Sequence, residues 1–131
     1  MPTNIRIIRA HDFLRATPEG RLDLEKSKRL VVEIAAAAVP LTDYEILLDT
    51  RKAEVEMSAA DLWFLATDVW YLAAELVNAR GHFPKKTAVL CPVERFDRAS
   101  FFALCAQNTG IKVQAFTSFE DAIEWLITNG T

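Results

Sequence analysis

At 131 residues the chain is long enough for one hydrophobic core and short for two, so a single domain over residues 1–131 is expected. Hydrophobic residues make up 51% and charged residues 25%, and the net charge of −3 leaves no basic excess, which argues against nucleic acid as a partner. The longest apolar run, residues 34–41, is too short for a membrane span, and the opening MPTNIRIIRAHD lacks the apolar centre of a signal peptide, so the expected location is cytoplasmic.

Residues 5–10 (IRIIRA) are short and β-branched and read as a strand. Residues 13–16 (FLRA) follow as a second strand after a turn at His11 and Asp12, close enough for a tight antiparallel pair. Thr17-Pro-Glu-Gly20 is turn chemistry. The first predicted helix covers 23–39, with Leu24, Leu30, Val31, Ile34, Ala35 and Ala38 on its apolar face and Pro40 as its stop. Residues 44–49 (YEILLD) read as a strand whose lack of alternation suits burial on both faces. Residues 50–57 read as a polar loop.

Residues 58–80 (SAADLWFLATDVWYLAAELVNAR) are predicted to form one long helix, the element around which the rest is arranged. Ser58 with Asp61 three residues later suggests a capping box, and Gly81 suits a stop. At 100° per residue, Leu62, Leu65, Ala66, Val69, Leu72, Ala73, Leu76 and Val77 share one core-facing stripe. Trp63 and Trp70 lie on its flank, whereas Phe64 and Tyr71 project from the far side. This apolar excess needs a second cover, either a neighbouring element of the same chain or a partner. We expect a partner, with a homodimer as the first form and Trp63, Phe64, Thr67, Trp70 and Tyr71 at the interface.

Residues 86–90 (KTAVL) are the next predicted strand, ended by Cys91-Pro92. A helix over 94–108 follows, with Phe101, Phe102, Leu104 and Cys105 available for burial and Gly110 as its stop. Residues 111–116 (IKVQAF) alternate and read as a strand. Ser118 caps the last helix with Asp121 three residues on; Ala122, Ile123, Leu126 and Ile127 line its core face, with Trp125 beside them. The order β-β-α-β-α-β-α-β-α predicts an α/β fold: a mixed, mostly parallel five-stranded sheet with four helices.

An α/β protein holds ligands at the carboxyl edge of its sheet. Here that edge is furnished by Asp49, Thr50, Arg51, Ser58, Cys91, Glu94, Arg95, Thr117 and Ser118. Asp49 and Arg51 are placed for a strand-end ion pair. No Gly-rich phosphate loop is present, since Gly20, Gly81, Gly110 and Gly130 all stand at turns or ends, and there is no GxSxG elbow. Cys91 has no activating neighbour in the sequence. Cys91 and Cys105 are not spaced as CxxC, and His11 and His82 are isolated, so no metal and no cofactor are expected. Catalysis is therefore not expected.

The order of elements, YEILLDTR (residues 44–51), KTAVLCP (86–92) and VQAFTSFEDAIEWL (113–126) resemble the SpoIIAA-like group. These small bacterial proteins are related in fold to STAS domains and are sometimes grouped with lipid-binding Sec14 domains. The resemblance covers nearly the whole chain. It implies a STAS-like domain acting as a regulatory or interaction module. In signalling STAS proteins a kinase phosphorylates a serine at the start of the helix after the third strand, and Ser58 stands in that place. The local pattern departs from the signalling one: Glu56-Met57-Ser58-Ala59 replaces Asp-Ser-Ser-Gly. Ser58 is thus a helix cap first and a candidate phosphorylation site second. Two alternatives remain open: a carrier or sensor of a small apolar ligand or lipid, and an uncharacterised enzyme.

Overall fold

The computed structural model describes residues 3–8, 13–38, 44–70, 86–108 and 111–128. Five strands form the main sheet in the order β1-β2-β4-β6-β7: β1 (Thr3–Ile8), β2 (Phe13–Pro18), β4 (Glu45–Asp49), β6 (Thr87–Leu90) and β7 (Val113–Phe116). Only the β1–β2 pair is antiparallel, with Ile5 opposite Ala16. The other three pairings are parallel and carry Leu14 beside Ile46, Leu48 beside Val89, and Val89 beside Ala115.

The side-chain period of two sorts this sheet into two buried faces. Leu14, Ala16, Ile46, Leu48, Val89 and Val113 belong to one core with α1 (Leu24–Ala38), α2 (Ala59–Phe64) and α3 (Phe96–Gln107). Leu47, Ala88 and Leu90 face the opposite way and pack with Ala122 and Leu126 of α4 (Phe119–Ile127). The unbroken Ile-Leu-Leu of β4 is therefore apolar because both of its faces are covered. Lys86 is the charged exception beside this second core. It is buried, donates to Trp125 O (2.8 Å) and Thr128 O (2.7 Å), and lies over the Trp125 ring at 5.1 Å. A cation there satisfies the free carbonyls and the negative dipole at the end of α4.

Two short elements depart from the sequence reading. Gly20–Leu22 (β3) and Ala53–Val55 (β5) pair in parallel as a separate two-stranded sheet, where a turn and a polar loop were expected. Three residues are too few to show a period, and the pair is fixed by distant contacts instead. Glu56 N–H donates to Leu22 O (2.9 Å), and Arg21 Nε donates to Glu56 Oε1 (3.0 Å). Gly20 has φ 81°, a left-handed turn that a glycine reaches without a Cβ clash.

The central helix begins as expected. Ser58 Oγ accepts from Asp61 N–H (3.1 Å), and Asp61 Oδ2 accepts from Ser58 N–H (3.2 Å). Two otherwise free donors are satisfied reciprocally. Ser58→Ala is expected to lower stability by about 1 kcal/mol, read as a shift of the urea midpoint; an unchanged midpoint would remove the cap from the energetics. After Phe64 the helix widens into a π-helix, Leu65–Trp70. The stripe positions Leu72, Ala73, Leu76 and Val77, the stop at Gly81, and Tyr71 lie outside the described residues, as do His11, His82, Pro40 and Gly110.

α3 also differs from expectation. It starts from a single 3-10 turn, Val93–Arg95, and buries Phe102 and Cys105 as foreseen. Phe101 and Leu104 instead turn to solvent. Their positions on the helix lie on the arc opposite Phe102 and Ala106, so one helix cannot bury all four against the same sheet.

Candidate functional site

The carboxyl edge of the sheet brings together Asp49, Thr50, Arg51, Cys91 and Ser118, with Arg15 of β2 added. Asp49 is only 3% exposed, at the end of β4. Its carboxylate accepts from Arg51 N–H (3.1 Å), Arg51 Nε (2.9 Å), Arg51 Nη2 (2.9 Å) and Arg15 Nη2 (3.2 Å). Burial alone would raise this carboxyl; the bonds from Arg51 and Arg15, with the Arg51 charge, outweigh it and hold Asp49 below the usual carboxylate range. Both guanidiniums lie against the Phe119 ring, at 5.5 and 6.0 Å, so the cluster ties β2 and β4 to the start of α4.

The remaining edge groups are also committed. Thr50 Oγ1 donates to Leu90 O (2.9 Å), and Thr50 O accepts from Arg95 Nη2 (2.8 Å). Cys91 is buried, and its Sγ approaches Phe116 O at 3.6 Å. Burial pushes its thiol up, with Glu94 adding to the rise and the Arg95 charge opposing it. A thiol held in its neutral form is a poor nucleophile. Ser118 Oγ accepts from Asp121 N–H (3.3 Å) and caps α4, while Thr117 and Glu94 are exposed. The edge thus carries a saturated carboxylate and a neutral thiol. No group of three or more His, Cys, Asp or Glu fit to hold a metal occurs among the described residues.

The aromatic positions of the central helix separate. Trp63 is 53% exposed. Trp70 is 5% exposed and meets Phe102 of α3 edge-on, with ring centroids 5.9 Å apart. That residue belongs to the core rather than to an outer face, because α3 packs where a partner was pictured. Phe64 is half-buried beneath Lys28 of α1, whose Nζ lies 5.3 Å from its ring. Thr67 Oγ1 donates back to Trp63 O (2.8 Å). Trp63 of α2 is exposed, as are Val93 before α3 and Phe101 and Leu104 on it.

Beneath these helices lies a cleft of about 80 Å³ between α1, α2, α3 and the sheet. Leu30, Leu62, Leu65, Trp70, Val89 and Phe102 make its apolar wall. Arg95 and Arg98 line it from the start of α3, and Arg98 Nη1 donates to Met57 O. No single stretch of the sequence marked the cleft, since its walls come from elements up to 80 positions apart, from Leu22 to Phe102.

Among the described residues a mostly parallel sheet with one antiparallel edge carries three helices on one face and one on the other, the arrangement of a SpoIIAA-like fold. The solved structure of an uncharacterised protein of the DUF3478 family from Shewanella loihica PV-4, described as having that fold, is similar to this chain. The two share 18% identity with a TM-score of 0.56, over 95% of this chain and 92% of the other. The likeness establishes the fold. No protein-family model matches the chain, and no curated protein does. Among the described residues no helix is long and apolar enough to cross a membrane.

Proposed function

We propose that the chain is a non-catalytic, cytoplasmic contact module of the STAS-like kind, working through the outer face of α2 and α3 and pairing first with a second copy of itself. The observation that supports this reading is the exposure of Trp63 at 53% and Leu104 at 57% on two helices packed against each other. Large apolar side chains left in water on one layer mark contact surfaces, and tryptophan is enriched among the residues that dominate them. The committed hydrogen bonds of Asp49, Thr50 and Cys91 support the non-catalytic half of the reading. Ser58 is assigned to capping: a phosphate on its oxygen would break the box and face the Asp61 carboxylate.

Trp63→Glu combined with Leu104→Glu is expected to leave the fold intact and abolish pairing. Light scattering should give twice 14.7 kDa for the natural chain and 14.7 kDa for the variant. Equal masses would overturn the assignment of the face.

A second reading, a carrier or sensor of a small apolar ligand, is supported by the cleft between α1, α2 and α3.

A further inference from the structure

The cleft has a mouth that its own lining locates. Most of the described lining residues are buried; Val55, Met57, Arg95, Arg98 and Ala99 are those that reach water. One side of the mouth is therefore the segment around β5, and the other is the start of α3. The first side is a flap. β3 and β5 form a two-stranded sheet separate from the main one. Successive side chains of a strand point to opposite faces. Leu22, Ala53, Val55 and Met57 pack with the core, while Arg21, Glu54 and Glu56 are exposed. On that outer face the Arg21–Glu56 ion pair joins the two strands to each other and not to α3.

Two arginines cross the mouth, one at each end of residues 50–57. Arg95 Nη2 donates to Thr50 O (2.8 Å), and Arg98 Nη1 donates to Met57 O. The two ends are held differently. Thr50 is buried and also fixed to β6, since its N–H (2.8 Å) and its Oγ1 (2.9 Å) both donate to Leu90 O. Among the described residues the bond from Arg98 is the one hydrogen bond that ties Met57 to α3, and Arg98 is exposed, so water competes for it. A pinned end and a solvent-facing closure are the parts of a hinge and a latch, and local opening is drawn from segments with few ties to the body. We propose that Arg98 is the latch of the cleft: its bond to Met57 O holds the flap shut against α3, and the mouth opens there while the Thr50 end stays in place. The inference concerns entry to the cleft and does not depend on what fills it.

Cys91 reports the opening. It is 1% exposed and lines the cleft, whereas Cys105 of α3 is buried outside that wall. The test alkylates both thiols of the whole chain with iodoacetamide at one fixed pH and follows each site by mass spectrometry. Arg98→Gln should raise the rate at Cys91 by about tenfold or more, the factor expected for losing a hydrogen bond from a charged donor. Cys105 should keep its natural rate. Arg98→Lys retains a cationic donor for Met57 O and should hold Cys91 near the natural rate. A variant that merely loosens the fold would speed both cysteines together, and that result would overturn the latch. So would an unchanged Cys91 rate in Arg98→Gln, or an Arg98→Lys protein that reacts as fast as Arg98→Gln.

Discussion

Trp70→Ala is expected to lower the unfolding free energy by about 3–5 kcal/mol, the range found when a large buried aromatic is truncated. Trp70 is 5% exposed, sits at the end of the π-helical segment, and meets Phe102 edge-on at 5.9 Å. Its removal takes away both the buried area and the aromatic pair. The loss should be near the upper end, because the ring also walls the cleft and its absence enlarges a space that already stands open. Trp63→Ala, made on the exposed neighbour seven positions earlier, should change stability by less than about 0.5 kcal/mol. Chemical denaturation of the two variants separates a core tryptophan from a surface one. Equal losses would contradict this division.

Asp49→Ala should cost about 2–3 kcal/mol, somewhat under the loss usual for one partner of a buried ion pair, because Arg15 and Arg51 both keep an edge to water. Four described donors converge on that carboxylate. The pH dependence has a definite sign. A carboxyl held below its unfolded value stabilises the fold fully above that unfolded value, about 3.9. The contribution is lost as pH falls from there through the folded value. Melting temperatures of the natural chain should therefore drop below about pH 4. Asp49→Asn should melt lower at pH 7 and show a shallower acid limb. A parallel acid limb in the variant would mean that other carboxylates set it.

The arrangement of strands and long helices was legible because each leaves a local signature. The Ile-Leu-Leu of β4 announced burial on two faces, and Ser58 and Ser118 announced helix starts through the acids three residues later. What stayed hidden was long-range. Arg15 meets Asp49 across 34 positions, and nothing in FLRATP marks that arginine for an ion pair rather than for solvent. β3 and β5 are three residues each and acquire their identity from one another. The division of Trp63 from Trp70 depends on where α3 packs, and a heptad spacing places the two near one another on the helix without saying which is covered. The cleft is a property of the assembled layer, and each of its apolar residues taken alone reads as core.

Hydroxyl-radical footprinting of Trp63 across a range of protein concentrations tests the contact-module reading most directly. The indole is a readily oxidised side chain, and at 53% exposure it is open to the radical. Oxidation of Trp63 and Leu104 should fall as the chain associates, while exposed Val32 of α1 stays at its initial rate. An oxidation rate at Trp63 that does not change while the measured mass doubles would place the contact elsewhere and contradict the account.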